Sequence, residues 1–143
     1  EQFSKNQFSN NLDNFKGTIR KNGIDFNKIE IIPGWFENTL TGQTKSKLQL
    51  SLASIVWIDC DLYESTVSAL DFISDLVTDG TIIVFDDWFF YRGRPDTGEQ
   101  RAFSEWLKKI RNFPLQNFIN ILGTVLHSYF IKINKLTRNY GVD

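Results

Sequence analysis

The 143-residue chain has no methionine, one cysteine, one histidine and three prolines. A single cysteine, Cys60, excludes an internal disulfide framework and fits a reducing, cytoplasmic setting. No Asn-x-Ser/Thr acceptor occurs, which agrees with that setting. No apolar run approaches the roughly 18 to 20 residues needed to cross a bilayer, and no signal peptide is visible, so no membrane role is expected. Basic residues are scattered and the net charge is −1, which argues against a nucleic-acid surface. The one local basic run, Lys108, Lys109 and Arg111, reads as a solvated helix face. The missing methionine, together with an opening of EQFSKNQFSNN, reads as a piece of a longer protein.

Aromatic residues, by contrast, are plentiful at 15% within an apolar content of 41%, enough for the core of about one domain and too much for a disordered chain. Phe8, Leu12, Phe15 and Ile19 fall on one helical face, with Ser9 or a neighbouring Asn as cap and Asn22-Gly23 as stop. IEIIPGWF (29–36) reads as a short buried strand ended by Pro33-Gly34. A loop and a weak helical stretch come next. SIVWIDCD (54–61) and TIIVFDDW (81–88) read as strands with both faces buried, because polar residues enter only at their ends. Between them Ser65 is positioned to cap a helix carrying Val67, Leu70, Ile73 and Val77. After the irregular WFFYRGRPDTGE comes a helix with Phe103, Trp106, Leu107 and Ile110 inward, stopped by Asn112 and Pro114. FINILGTVLHSYFIKIN (118–134) reads as two strands meeting near Gly123, an antiparallel hairpin.

This alternation predicts an α/β fold with a mostly parallel sheet, in which ligands bind outside the carboxyl ends of the strands. Both acid groups fall there, as does Gly34-Trp35-Phe36. Asp59 ends one strand and Asp86-Asp87 the next, 86 − 59 = 27 residues on. Neighbouring strands lie about 4.8 Å apart, so three carboxylates can converge. Hard oxygen donors on rigid strand ends suit Mg²⁺ or Mn²⁺. The competing reading is capping: acids after strands commonly serve the next helix start. A D-x-D reading of Asp59-Cys60-Asp61, as in metal-dependent glycosyltransferases, leaves Asp86 and Asp87 without a role. A non-catalytic scaffold with an exposed aromatic lip is a further alternative. An uncovered strand edge would favour pairing with a second copy.

DCDLYEST, then a helix, then DGTIIVFDDW, resembles the macrocin O-methyltransferase family of class I S-adenosylmethionine-dependent methyltransferases. That family reads D-G-D-L-Y-E-S-T, a helix, and G-G-x-x-x-x-D-D-Y. IIPGWFENTL is similar to its third strand, and NNLDNFKGTIRKNGI to the element before it. The resemblance spans roughly residues 8–110 and implies that residues 1–143 form a single, partial domain. Its sheet would be Rossmann-like and mostly parallel with a C-terminal antiparallel hairpin, and would lack the family's first two strands. It implies S-adenosylmethionine and Mg²⁺ (or Mn²⁺) as cofactors, and a small-molecule sugar or polyol as acceptor. The implied metal ligands are Asp59, Asp86 and Asp87, and Asp59 is the candidate base. Trp35, Phe36, Asp59, Cys60 and Asp61 would contact the methyl donor. Tyr63, Glu64 and Trp88 would border the acceptor. His127 lies in the hairpin and reads as structural.

Overall fold

The computed structural model describes residues 11–110 and, for the backbone alone, 118–119 and 129–132. It divides into two compact units, residues 1–35 and 36–143. In the first, α1 (Leu12–Lys21) begins at Asn11, whose side chain accepts a hydrogen bond from the Asp13 N–H at 2.8 Å. It ends at Asn22, with Gly23 next at φ 73°, the stop that Asn-Gly predicts. Asp13 in the first turn and Arg20 and Lys21 in the last complement the helix dipole. Leu12 and Ile19 are only half-buried and Phe15 is exposed, so the apolar stripe has little core to face. Phe8 and Ser9 lie outside the described residues.

A 3₁₀ turn at Phe26–Lys28, capped by Asp25, places Phe26 under the Arg20 guanidinium at 4.9 Å. The strand expected at residues 29–36 does not form among the described residues. Ile29 is extended, but the segment joins no ladder, and Pro33 has no N–H to offer one. An apolar run becomes a strand only where a neighbour satisfies its backbone.

In the second unit, α2 (Phe36–Thr39) leads into α3 (Gly42–Leu48). Thr41 caps α3 by accepting from the Thr44 N–H at 3.2 Å. Then β1 (Ile55–Ile58) and β2 (Ile82–Phe85) pair in parallel, joined by α4 (Tyr63–Ile73), the crossover that parallel pairing demands. After α5 (Gly98–Lys109), β3 (Phe118–Ile119) and β4 (Tyr129–Lys132) complete the order β1-β2-β4-β3. β2 with β4 and β3 with β4 are antiparallel, so among the described strands one pairing of three is parallel. That corrects the mostly parallel expectation for the described sheet. Gly123 and His127 lie outside the described residues, as do Arg111, Asn112 and Pro114.

Two further expectations are corrected. Ser65 is not the cap of α4; the N-cap is Leu62, without a side-chain bond, and Ser65 sits inside the helix. β1 is not buried on both faces. Val56 and Ile58 face the core, whereas Ile55 and Trp57 are 64% and 54% exposed, because β1 is the edge strand of the described sheet.

The core packs α4 and α5 on one face of β1 and β2. Leu70 and Ile73 of α4, with Val77 just beyond it, meet Ile83 and Phe85 of β2 and Ala102, Phe103 and Trp106 of α5. Phe85 lies 5.1 Å from Trp88 and 5.2 Å from Phe103, and Phe103 lies 5.7 Å from Trp106. Such pairs add about 0.5 to 1.5 kcal/mol beyond their burial. Trp106 also donates from Nε1 to Ser74 Oγ at 2.8 Å, joining α5 to the end of α4. No helix among the described residues is long and apolar enough to cross a membrane.

Trp106→Ala should therefore cost about 3 to 5 kcal/mol in urea unfolding, and Ser74→Ala about 1 to 2 kcal/mol. A Trp106→Ala variant as stable as the native chain would contradict this core.

A candidate metal centre at the ends of two parallel strands

The register Ile58↔Phe85 brings the two acidic strand ends level. The Asp86 N–H donates to the Ile58 carbonyl at 2.9 Å, the last rung of the ladder, so Asp59 and Asp86 leave adjacent strands side by side. One carboxylate oxygen from each of Asp59, Asp86 and Asp87 lies within 4.8 Å of the others. Asp59 is exposed and the other two are half-buried. The capping alternative fails for the first group, since neither Asp59 nor Asp61 caps α4.

Three backbone features hold the acids in place. Asp61 adopts a left-handed conformation, φ 47°, which swings the chain from β1 into α4. Cys60 O accepts from the Leu62 N–H inside that turn. On the other side, Gly98 at φ 50° starts α5 against the same loop. A Cβ there would stand 2.7 Å from the Tyr91 ring and 3.2 Å from the Asp61 carbonyl, so only glycine allows the approach.

That approach buries Glu99, which lies in the segment that reads as irregular from sequence and carries no mark of a site there. It is 1% exposed, and its Oε2 accepts from the Asp87 N–H at 3.1 Å. Gln100 donates from Nε2 to the Trp88 carbonyl at 2.6 Å. Two buried oxygens, Asp87 Oδ2 and Glu99 Oε1, have no hydrogen-bond partner.

Burial pushes Asp87 up to about 7, helped by the Asp61 carboxyl within hydrogen-bonding reach and by the charges of Asp61, Asp59 and Asp86. Glu99 is raised to about 8, chiefly by burial and then by Asp87. Asp59 is raised as well, by burial first and then by Asp86 and Asp61. The Cys60 thiol is pushed to about 11 by burial, so it stays protonated near neutral pH and is no nucleophile.

The donor set fits a hard divalent cation. Octahedral Mg²⁺ at 2.0 to 2.1 Å places adjacent donors about 3 Å apart, so three oxygens within 4.8 Å of one another need to contract by about 2 Å at most. The unpartnered Asp87 Oδ2 and the mutual repulsion of the acids are the features a cation would relieve.

The other predicted contacts separate into groups. Phe36, Asp59 and Cys60 line one cavity of about 270 Å³, together with Leu40, Val56 and Phe72. Asp61 stands at the turn below Gly98. Trp35 is 66% exposed and is the last residue of the first unit. Tyr63 donates from its hydroxyl to Glu105 Oε2 at 2.6 Å, with the Arg101 guanidinium 4.0 Å over its ring, which ties α4 to α5. Glu64 is exposed in the first turn of α4. Trp88 packs into the aromatic chain between Phe85 and Phe103.

Glu99 and Asp87 are both held above their ordinary values, so the folded chain binds more protons than the unfolded one, and stability falls as pH rises. For Glu99 that window runs from 4.5 to about 8. The urea midpoint should fall across it, and Glu99→Gln should flatten the fall. A midpoint rising across the same window would overturn burial as the dominant cause.

The chain is similar to known proteins in sequence and in fold. Over an alignment of 92 positions that covers 58% of the chain, it is 28% identical to the 8-demethyl-8-(2,3-dimethoxy-alpha-L-rhamnosyl)-tetracenomycin-C 4'-O-methyltransferase of Streptomyces olivaceus. The match spans 33% of that relative, so the chain covers about a third of its length. The structure of the O-methyltransferase NovP superposes with a TM-score of 0.65 at 19% identity, over 87% of this chain and 45% of that one. The two therefore share an α/β methyltransferase-like fold. The family model of macrocin-O-methyltransferase (TylF) matches residues 3–110, and the chain belongs to that family.

Proposed function

We propose that this chain serves an S-adenosylmethionine-dependent, divalent-metal-assisted O-methyltransferase activity on a hydroxyl of a sugar or similar vicinal diol. The observation that supports it is the convergence of Asp59, Asp86 and Asp87 at one strand edge, with the buried Asp87 Oδ2 unpartnered. These three residues would hold Mg²⁺ or Mn²⁺. When bound, the cation lowers the pKa of a coordinated hydroxyl, and the donor's sulfonium supplies the methyl group.

The chain's own residues do the rest. Asp59 is the exposed member of the trio and is read as the group that accepts the hydroxyl proton. The methyl donor would supply its methyl group to the acceptor oxygen and leave as a neutral thioether. Phe36 and Cys60 line the cavity beside Asp59 and, with Asp61, are read as donor contacts. Trp88, Tyr63 and Glu64 are read as the acceptor border. Holding acceptor and donor in line contributes much of the rate in such transfers. The glycosyltransferase reading needs only Asp59 and Asp61, whereas Asp86 and Asp87 stand with Asp59 here.

The test uses the chain itself. Mn²⁺ should bind, read by loss of the free-ion EPR signal, and Asp86→Asn and Asp87→Asn should each weaken it about tenfold or more. A chain indifferent to millimolar Mn²⁺ would leave the scaffold reading standing instead. Calorimetric titration with S-adenosylhomocysteine separates a methyltransferase from an enzyme that answers to a nucleoside diphosphate.

A further inference from the structure

We propose that Glu99 and Gln100, in the first turn of α5, are positioning residues that grip Asp87-Trp88 from both ends and so aim the Asp87 carboxylate at the acidic edge. This rests on the reading of Asp59, Asp86 and Asp87 as a cation site and adds residues that reading does not contain. The ladder between β1 and β2 ends at the Asp86 N–H. Beyond it the strand turns, with the Phe90 N–H donating to the Asp87 carbonyl at 2.9 Å. The Asp87 N–H lies beyond that ladder, and its acceptor is a side chain, Glu99, and not a carbonyl of β1.

Glu99 supplies that acceptor across 12 positions of sequence, and Gln100 meets the Trp88 carbonyl across another 12. Both arms come from one helical turn, and that turn reaches the loop because Gly98 lets it pass the Tyr91 ring and the Asp61 carbonyl. Glu99 is not a fourth ligand. Among the described residues only Asp59, Asp86 and Asp87 form a group with metal-ligand spacing, and Glu99 is 1% exposed with one oxygen committed to the backbone. Holding the Asp87 N–H and the Trp88 carbonyl fixes the backbone from which the Asp87 carboxylate projects, the support that a precise site requires of its surroundings.

Two variants separate positioning from charge and from bulk. Glu99→Gln keeps an oxygen that can accept from Asp87, whereas Glu99→Leu keeps the volume and removes every acceptor. In the native chain and each variant, Mn²⁺ affinity is read by EPR well below the unfolding midpoint. Glu99→Leu should weaken Mn²⁺ about tenfold, and Glu99→Gln should stay within about threefold of the native chain. Equal weakening by both assigns the effect to charge and overturns the positioning role. A folded Glu99→Leu chain with native Mn²⁺ affinity overturns it as well, however much its midpoint drops. Should Glu99→Leu not fold, Gln100→Ala decides: a several-fold loss of Mn²⁺ supports the grip, and native affinity ends it. Absence of Mn²⁺ binding by the unaltered chain sinks the underlying site together with this proposal. Native binding with unaffected variants sinks only the grip.

Discussion

The hydrogen bond from the Asp86 N–H to the Ile58 carbonyl closes the parallel ladder of β1 and β2, and the arrangement of the site depends on where it falls. At that point each strand releases an acid. Because side chains alternate across a sheet, a slip of one residue in register would turn the whole apolar set of β2 and move Asp86 to the other face. The packing that forbids the slip is visible. Ile83, Val84 and Phe85 are all buried, and Phe85 meets both Trp88 and Phe103. The hydrophobic core thus sets the position of the carboxylates through the register of the strands that carry them.

The cost of that placement is also visible. Gathering Asp59, Asp61, Asp86, Asp87 and Glu99 at one edge raises Asp59, Asp87 and Glu99 through burial and mutual repulsion. A site selected for stability alone would place neutral or basic partners there. Three exposed lysine and arginine pairs instead serve the outside: Arg101 with Glu105 beside Tyr63, Lys109 with Asp71, and Arg94 with Asp96. These exposed pairs contribute at most about 1 kcal/mol each. They stitch helices or a loop and involve none of Asp59, Asp86 and Asp87.

How much of this could be read from the sequence depends on whether the deciding interaction is local. The stop at Asn22-Gly23 and the inward face of α5 were legible, since each is set within a few residues. So was the convergence of Asp59, Asp86 and Asp87, because two apolar strands each ending in acid constrain one another once they pair. The strand expected at Ile29–Phe36 was not obtainable, because strandhood needs a neighbour. The expected burial of β1 on both faces fails for a related reason: IVWI looks the same at an edge and in a sheet centre. The Ser65 cap fails because the left-handed turn at Asp61 starts α4 earlier than the capping residue suggests.

Glu99 shows the same limit from the other side. A glutamate in the first turn of a helix is ordinarily a solvated partner of the dipole, and nothing adjacent marks this one as different. What buries it is Gly98, whose missing Cβ brings α5 against Tyr91 and the Asp61 carbonyl. The glycine thus determines the environment of the acid beside it, and that acid in turn supplies the acceptor for the Asp87 N–H. Sequence distance hides this chain of cause, because its links lie at residues 61, 87, 91 and 98–99 and meet only in space. The order of dependence runs from backbone permission to helix approach, from approach to burial, and from burial to the orientation of a carboxylate.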